Sequence, residues 1–372
     1  MLELNFLYLG IIVIVLVFMY RRNVEKMSSR GFEDRYDVIK QYLLDETEIS
    51  KNDQPKPIMW LHVPYAYNAR NWLSFGSRSS TEVNQPYLSL TLRSIIANCD
   101  DSFKICVIDD AAFEKLISGW SIDMTKLSDP LLKYIRQLGI ANLIYQYGGM
   151  EVPISFLCFK DLLPMYISGT KSNKMFVCEN INTNVTSAYN IFYPNCRFMG
   201  ATKGCATLQS FIEFMQRIIS SNYTAQPQFV GDFDRWVNAR IDNNQISLVR
   251  GEEVGVKSDQ GEPVTVETLM DTAPIDFNQH TYGIWIPADS ILKRRHYEWF
   301  ARLSAQQIFE SNCILCKYFV IALAPDSKNG VIEPMQQHNN WVSFWKTPKV
   351  SIWGVKPIDL GNNISRESYP NY

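Results

Sequence analysis

The pattern of apolar and polar positions divides the chain into an uncharged N-terminal run, a polar segment and a long region of short apolar runs. Residues 6–20, FLYLGIIVIVLVFMY, carry no charge, and Leu2 and Leu4 extend the run toward the ~20 residues that span a bilayer. Two arginines follow directly, and no small-residue cleavage site is present. The pattern therefore predicts a retained transmembrane anchor over residues 1–22, with a buried core helix as the alternative.

The charges beside this run predict its orientation. Glu3 precedes it, and four basic residues follow it: Arg21, Arg22, Lys26 and Arg30. The positive-inside rule therefore predicts a single-pass membrane protein whose main domain faces the cytosol. The eight cysteines agree with this, because most lie in apolar runs and are typical of small buried side chains. Three N-glycosylation tripeptides would matter only for a lumenal domain; they begin at Asn184, Asn222 and Asn363.

After the anchor, residues 23–55 are polar and predict a stalk, followed by a domain over residues 56–345 and a tail over residues 346–372. Short apolar runs in the domain predict four buried strands: IMWLHV (58–63), KICVIDD (104–110), KMFVCEN (174–180) and GIWIPA (283–288). Between the first two, apolar positions recur at helical spacing: Leu88, Leu92, Ile95 and Ile96. The order strand, helix, strand predicts an α/β domain with a partly parallel sheet.

A second helix is predicted before the pair Gly148-Gly149. Asp129 can cap it and Pro130 can occupy its first turn, and apolar positions then recur at helical spacing: Leu131, Ile135 and Leu138. The two glycines end the helix and turn the chain into a predicted strand, MEVPISFL (150–157). In an open α/β sheet, ligands gather at such a turn.

Composition narrows the possible partners. The chain has 372 residues, 43.0 kDa and 46% hydrophobic residues, which is ample for a core. A net charge of −2 and a pI of about 6.1 provide no overall field for nucleic acid, so no nucleic-acid partner is predicted. Any anion site must therefore be local.

Four segments in this order resemble glycosyltransferases of the capsular-polysaccharide-synthesis and Och1-like type: KPIMWLHVP, SLTLRSIIANCDDSFKICVIDD, LIYQYGGMEVPISF and RFMGATKGCATLQSF. The resemblance covers roughly residues 56–211, and its strongest element is the Tyr-x-Tyr-Gly-Gly run before a strand. It implies a GT-A-like fold, a Rossmann-like mixed sheet flanked by helices, that binds a nucleoside-diphosphate sugar. In that family an Asp-x-Asp on the strand holds Mn²⁺ or Mg²⁺ against the diphosphate, because a divalent ion neutralises the charge of the leaving group.

This sequence departs from the family at the metal-binding positions. Pro153 and Ser155 stand where the family has its aspartates, and neither is an anionic ligand. The acidic and basic residues that the family has on the preceding helix fall on Gln137 and Ile140, and Arg136 lies one turn before Ile140 on the same face. The departure predicts loss of the ordinary metal site.

Other residues are candidates for a donor site if the protein is active. The nucleotide sugar would contact Asp109, Asp110, Gly148, Gly149, Glu151 and Arg78, and a metal ion would bind Glu151 and His338. Each has a structural alternative. Glu151 is also typical of a solvated strand-end carboxylate, Asp109 and Asp110 of a helix N-cap, and Arg78, in FGSRSS, of a surface loop.

Two further motifs are assigned structural roles. Asp232 and Asp234 form an Asp-x-Asp in a predicted loop far from the glycine pair, and pairing with Arg235 or capping of a helix is favoured. Cys313 and Cys316 have CxxC spacing, but no second pair follows, so one face of a helix is favoured over a zinc site.

Two functions remain. The first is a membrane-anchored glycosyltransferase-like pseudoenzyme that needs no cofactor and binds protein partners. The segments YNARNWLSFGSRSS and YGGMEVPISF also resemble glycosyltransferase-like proteins of large DNA viruses, which implies a structural role as a minor capsid protein on an internal virion membrane. The alternative is an active sugar-nucleotide-dependent glycosyltransferase with an atypical site for Mn²⁺ or Mg²⁺. Loss of both aspartates favours the first, because the charge of the ligands sets metal affinity.

Overall fold

The computed structural model describes residues 56–64, 85, 87–127, 130–183, 185–221, 231–294, 296–297 and 299–328. All of them belong to one compact unit. The predicted anchor, stalk and tail lie outside these residues. Among the helices that fall within them, none combines the length and the apolar character that a bilayer span needs.

The α-helices of the described residues alternate with strands in the first half and dominate the second half. They are α1 (Tyr87–Cys99), α2 (Ala112–Leu116), α3 (Leu131–Tyr147), α4 (Leu163–Gly169), α5 (Ala206–Ser220), α6 (Asp232–Asp242), α7 (Val266–Met270), α8 (Ala288–Lys293), α9 (Ala305–Glu310) and α10 (Ile314–Lys328). The strands are β1 (Ile58–His62), β2 (Lys104–Ile108), β3 (Gly149–Glu151), β4 (Phe156–Cys158), β5 (Met175–Ile181), β6 (Phe192–Ala201), β7 (Ile246–Val249) and β8 (Gly283–Trp285).

Six of these strands form one mixed sheet in the order β2-β1-β3-β6-β5-β7. β1 pairs in parallel with β2 and β3, and β5 pairs in parallel with β7. β6 runs antiparallel to both of its neighbours, β3 and β5. The partly parallel sheet predicted from the strand-helix-strand order is confirmed, and a mixed sheet flanked by helices fits a GT-A-like architecture.

The connections that leave β1 and β2 lie on opposite faces of the sheet. α1 connects β1 to β2 on one side of β1, whereas α2 and α3 connect β2 to β3 on its other side. Because parallel crossovers are right-handed, reversing the direction of the connection reverses the face that its helix covers. The carboxyl ends of β1 and β2 therefore border a crevice of the kind in which α/β sheets bind ligands.

The helix predicted before the glycine pair is confirmed as α3, which begins at Leu131 and ends at Tyr147. Pro130 occupies its N-cap position, while Asp129 lies outside the described residues. The N–H of Gly148 donates to the carbonyl of Ile144 at 2.8 Å and closes the last turn.

The strand predicted over residues 150–157 is wrong at its centre. β3 ends at Glu151, and the chain turns so that the Phe156 N–H donates to the Pro153 carbonyl at 2.9 Å. β4 then pairs with β8 in a separate two-stranded antiparallel sheet, with Phe156 opposite Trp285. A proline lacks the N–H that a central strand needs, so the turn occurs at Pro153.

Candidate functional site

His62, Asp110 and Arg136 form a polar cluster at the carboxyl ends of β1 and β2, and we call these three residues the edge cluster. His62 ends β1 and pairs in register with Ile108, two residues before Asp110. Its Nε2 atom lies 2.9 Å from Asp110 Oδ1. From α3, Arg136 donates Nε to Asp110 Oδ1 at 2.9 Å and a terminal nitrogen to Oδ2 at 2.6 Å. The crevice therefore contains a bidentate ion pair joined to a histidine.

The electrostatics of the edge cluster centre on Asp110. Burial alone would raise the pKa of this carboxyl, but hydrogen bonds from His62 and Arg136 outweigh it and lower the pKa to about 2. Because an ionised carboxylate only accepts hydrogen bonds, the Nε2 atom of His62 carries the proton. Both oxygens of Asp110 already accept charged or polar donors, so Asp110 is not a free ligand for a cation.

Aromatic side chains pack against the edge cluster and hold the His62 ring in place. The His62 ring stacks on Phe113 of α2 with ring centroids 5.3 Å apart, and Phe113 in turn contacts Trp120. Two residues earlier on β1, Trp60 donates its indole N–H to the Gly148 carbonyl at 3.1 Å. β1, α2 and the end of α3 are therefore held together by buried side chains rather than by solvent-exposed loops.

The glycine pair has a packing role. Gly149 has φ +103, and a Cβ atom there would lie 2.0 Å from the Ile58 carbonyl oxygen. Gly148 has φ +79, and a Cβ atom there would approach the Lys203 backbone nitrogen to 3.1 Å. Both glycines thus allow α3 to end directly against β1 and the segment after β6. Their places in the chain are explained without a ligand.

Asp109 makes a local contact at the start of α2, although Ala111 is the N-cap residue of that helix. The Oδ1 atom of Asp109 accepts the backbone N–H of Ala112 at 3.0 Å. Asp109 therefore forms a local side-chain to backbone turn just before the helix rather than its N-cap. Asp109 and Asp110 are adjacent in sequence, but the first stabilises a helix start and the second joins the edge cluster.

Glu151 ends β3 and lies in register with Trp60 of β1 and Met199 of β6. The residue is partly buried, and its Oε2 oxygen is buried without a hydrogen-bond partner. Burial raises the pKa of this carboxyl to about 8, although Arg197 nearby acts to lower it. The alternative of a solvated strand-end carboxylate is therefore wrong, because Glu151 is held largely protonated at neutral pH.

Pro153 and Ser155 lie in the turn between β3 and β4. Ser155 is buried, at 7% exposure, and its carbonyl accepts the N–H of Ile286 at 3.1 Å. The Pro153 carbonyl accepts the N–H of Phe156. The turn is therefore closed by its own backbone and by the segment that follows β8, and it presents no carboxylate.

The second Asp-x-Asp lies on a helix and not in a loop, because Asp232 and Asp234 occupy the first turn of α6. Asp232 pairs with Arg235, and Asp234 Oδ1 accepts the N–H of Cys196 at 3.2 Å. Acidic residues stabilise a helix N-terminus, because they offset its partial positive charge. Their structural assignment stands, because Asp232 pairs with Arg235 and both aspartates lie in the first turn of the helix.

Two candidate ligands, Arg78 and His338, lie outside the described residues. Within the described residues, no three His, Cys, Asp or Glu side chains converge as metal ligands. Asp109 and Asp110 follow β2 and Glu151 ends β3, so the three candidates lie on either side of β1, and each has a separate environment. The structure brings them to one edge of the sheet without joining them in one ligand set.

Sequence reasoning missed His62 and underrated Arg136. His62 is a polar residue at the end of an apolar strand, which is a usable signal for a residue at the binding edge of a parallel sheet. The sequence placed Arg136 on the correct helix face, but its partner is Asp110 rather than a ligand.

A separate cavity of about 320 Å³ lies between residues 117–122, α3 and the end of α5, and no charged side chain lines it.

Comparison with known proteins gives no family by sequence. No family model matches the chain. No curated protein matches it either.

Comparison with solved structures finds glycosyltransferases. Glycosyltransferase GlyE of Streptococcus pneumoniae TIGR4 matches with a TM-score of 0.37 and 13% identity over 77% of this chain and 66% of GlyE. Its apo form matches with a TM-score of 0.34 and 12% identity over 74% and 64% of the two chains. The PaToxG glycosyltransferase matches with a TM-score of 0.28 and 11% identity over 57% and 81%. The match spans slightly less than two thirds of the GlyE chain, and likenesses this weak carry no argument about function.

Proposed function

We propose that this chain is a glycosyltransferase-like protein whose metal-dependent donor site has been lost, and that it acts as a structural or interaction protein. The observation that supports this most is the turn after β3. There, Pro153 and buried Ser155 occupy the positions at which the resembling family carries its metal-binding aspartates.

The chemistry of the turn explains the loss. Mn²⁺ and Mg²⁺ need hard oxygen ligands, and the negative charge of those ligands sets the affinity. Proline offers no side-chain oxygen, and Ser155 is neutral and buried. The carbonyls of both residues already accept backbone N–H groups. A divalent ion at this turn would therefore find no anionic ligand and no free carbonyl from these two residues.

The nearby acids do not compensate for this loss. Asp110 is neutralised by Arg136, and Asp109 accepts the N–H of Ala112. Glu151 has a buried oxygen without a hydrogen-bond partner, but burial keeps its carboxyl protonated near neutral pH. A cation would have to displace that proton and enter a buried site. At this sheet edge Asp110 is paired internally and Glu151 is protonated, which leaves one carboxylate, Asp109, with one oxygen already bound to the Ala112 N–H.

The interaction role is the complementary part of the proposal. A fold can persist after its catalytic site is lost, because the core that holds the domain together is separate from the ligands at its edge. The predicted anchor would place such a domain at a membrane, where protein partners are expected. The role as a minor capsid protein on an internal virion membrane remains a prediction from the resemblance.

The unpartnered Glu151 oxygen favours the alternative, an active glycosyltransferase with an atypical metal site. A buried carboxyl with a raised pKa is also typical of catalytic acids and bases. In this case Glu151 would bind the metal or transfer a proton, and the missing ligands would come from outside the described residues. The two functions therefore differ in whether a nucleotide sugar binds.

A binding experiment separates the two. Full-length protein, purified in detergent, is titrated with UDP- and GDP-sugars in the presence of Mn²⁺, and the melting temperature is measured. No shift, together with a stoichiometric protein partner in native preparations, is expected. A concentration-dependent rise in melting temperature with release of nucleotide would instead support the active enzyme. Glu151→Ala should then reduce turnover, while Glu213→Ala, at an exposed position on α5, should not.

A further inference from the structure

The cavity between residues 117–122, α3 and the end of α5 shares no residue with the edge cluster, and we call it the side pocket. Its volume is about 320 Å³, and small-molecule sites occupy roughly 300–1,000 Å³. It is lined by residues 117–122 of the loop after α2, by Ile135, Leu138 and Asn142 of α3, and by Gln216, Ile219 and Ser220 of α5. The side pocket is therefore large enough for a ligand of one or two rings.

Apolar side chains form the walls of the side pocket. Ile117, Ile135 and Leu138 are buried, at 5%, 4% and 4% exposure. Trp120 adds an indole ring whose N–H already donates to the Ile122 carbonyl at 3.2 Å. Trp120 therefore offers a ligand its ring surface and no free donor.

Trp120 is held in position from the protein side. The Phe113 ring packs against the indole with ring centroids 5.5 Å apart, and Phe113 itself stacks on His62. Gly119, directly before Trp120, has φ +80, and no described atom lies within 4 Å of the position that a Cβ atom would take there. A flat ligand can therefore approach the backbone beside the indole without displacing a packed side chain.

Uncharged polar groups lie among these apolar walls. Asn142 donates its Nδ2 to the Leu138 carbonyl at 2.8 Å, which leaves its Oδ1 atom as an acceptor. Gln216 is exposed on α5 and makes no hydrogen bond within the part of the chain that the structure describes, so its amide offers both donors and an acceptor. No charged side chain of the described residues lines the pocket. A charged ligand would therefore lose hydration there without gaining an ionic partner.

We propose that the side pocket binds an uncharged planar heteroaromatic molecule of the purine or pyrimidine type. Such a ring is apolar on both faces and carries its donors and acceptors at its edge, which matches an indole, aliphatic walls and two side-chain amides. A sugar carries hydroxyls around its whole ring, and several of them would face Ile117, Ile135 and Leu138 without a hydrogen bond. The inference goes beyond the proposed function and does not depend on it, because the side pocket contains no residue of the edge cluster or of the turn after β3.

The lining residues give each part of the ligand a partner. The ring stacks on Trp120, in the way that bases stack on aromatic side chains. The Gln216 amide pairs with an adjacent donor and acceptor on the ring edge, which is the pairing by which glutamine recognises adenine. A ring N–H or an exocyclic amine donates to Asn142 Oδ1. None of these contacts needs a phosphate, so the ligand is a free base or an uncharged nucleoside.

The test titrates full-length protein in detergent with four probes and measures binding by isothermal calorimetry. Adenine and uracil represent the two ring types, glucose is an uncharged ligand that is not planar, and adenosine 5′-monophosphate carries a charge. At least one of the two bases should saturate one site per chain with a dissociation constant below about 1 mM. Which base binds distinguishes a purine from a pyrimidine ligand. Glucose should give no saturable heat, and the monophosphate should bind no more tightly than adenine.

Variants locate the binding at the side pocket. Gln216→Ala should weaken binding of the base about tenfold, because the ligand edge loses its amide partner. Glu213→Ala is the matched control, since Glu213 is exposed on the same helix and does not line the pocket, and it should bind as the wild type does. Trp120→Leu should weaken binding about tenfold as well, whereas Trp120→Phe keeps an aromatic face and should stay within about threefold of the wild type. Equal melting temperatures of the Gln216 and Glu213 variants show that both are folded.

Four results would overturn the proposal. The first is that neither base saturates a site, and the second is that glucose binds as tightly as the bases. The third is that the monophosphate binds more than about tenfold tighter than adenine, because the site would then recognise a charge that the side pocket cannot pair. The fourth is an unchanged affinity in folded Gln216→Ala, which would place the bound base elsewhere on the protein.

Discussion

Arg136 donates hydrogen bonds to both carboxylate oxygens of Asp110, with N–O distances of 2.9 and 2.6 Å. This internal ion pair lies in the crevice at the carboxyl ends of β1 and β2. The side chains are 14% and 24% exposed, so this pair is shielded from most solvent. His62 Nε2 contacts Asp110 Oδ1, the oxygen that also accepts Arg136 Nε. The place at which an α/β sheet would bind a ligand is thus occupied by the protein's own charges.

Replacing Arg136 with alanine should destabilise the fold. The change leaves Asp110 partly buried with His62 as its one remaining partner in the edge cluster, and uncompensated charges of this kind cost about 2 kcal/mol or more. The free energy of unfolding, measured by urea denaturation, should fall by about that amount. Lys126→Ala is the matched control, because Lys126 pairs with Asp123 at the exposed surface, and it should leave the unfolding midpoint unchanged.

The same pair predicts the acid dependence of stability. Its hydrogen bonds lower the Asp110 pKa from 3.8 to about 2, so the stabilisation is present above pH 3.8 and is lost as the pH falls toward 2. Wild-type stability should therefore decrease over this interval, and Arg136→Ala should remove much of the decrease. An identical acid slope in the two proteins, measured by urea denaturation at each pH, would contradict this account of Asp110.

The residues of the edge cluster show what sequence could and could not predict. Asp110 was identified because it follows an apolar strand, and ends of parallel strands meet at one edge of a sheet. Its partners are separated from it by 48 residues for His62 and 26 for Arg136. The periodicity of each element indicates which face of that helix or strand a side chain occupies. It does not indicate the register between a strand and a distant helix. The pairing therefore required the folded structure.

The strands show the same limit. β1 and β2 have continuous apolar runs and were predicted, whereas β6 and β7 were not. β6, FYPNCRFMGA, contains polar residues, and its register to β5 shifts where Cys196, Arg197 and Phe198 bulge from the ladder. β7 is a four-residue edge strand with Leu248 exposed. Short, bulged or edge strands lose the alternation that identifies a strand in sequence.

Gly149→Ala should be among the most damaging single changes in the sheet. A Cβ atom would lie 2.0 Å from the Ile58 carbonyl oxygen. The substitution would also place a residue with a side chain at a backbone φ of +103. Because the obstruction is backbone of a central strand, we expect a loss of about 4 kcal/mol or failure to fold. Gly119→Ala has a positive φ of +80 but open space around its Cβ, so it should lose only about 1 kcal/mol. Equal losses in thermal or urea unfolding would refute the steric explanation.

Ser155→Asp tests whether the turn after β3 can accept the acid that the resembling family carries. Ser155 is 7% exposed, so a carboxylate there would be buried without a cationic partner in the turn, at a cost of about 3 kcal/mol. Ser155→Ala retains the backbone hydrogen bond to Ile286 and should change stability by less than about 1 kcal/mol. A stable Ser155→Asp protein that gains a melting-temperature shift with Mn²⁺ would show that the turn still accommodates a metal site.

Glu151→Gln should change how stability depends on pH between weakly acidic and weakly basic solution. Burial raises the Glu151 pKa from 4.5 to about 8. Below pH 4.5 the carboxyl is protonated in both the folded and the unfolded chain, so its burial causes no loss in the free energy of unfolding. Between pH 4.5 and 8 the unfolded chain releases the proton while the folded chain retains it, and stability therefore falls as the pH rises through about 8.

Glutamine cannot ionise, so Glu151→Gln should resemble the wild type at about pH 5 and exceed it at about pH 9 by roughly 3 kcal/mol in the free energy of unfolding. Urea denaturation at the two pH values measures the difference. Glu213→Gln, at an exposed position on α5, is the matched control and should follow the wild type at both. If Glu151→Gln were less stable than the wild type at about pH 9, the Glu151 carboxylate would have a favourable ionic partner, and a cation-binding role for Glu151 would gain support over the loss of the site.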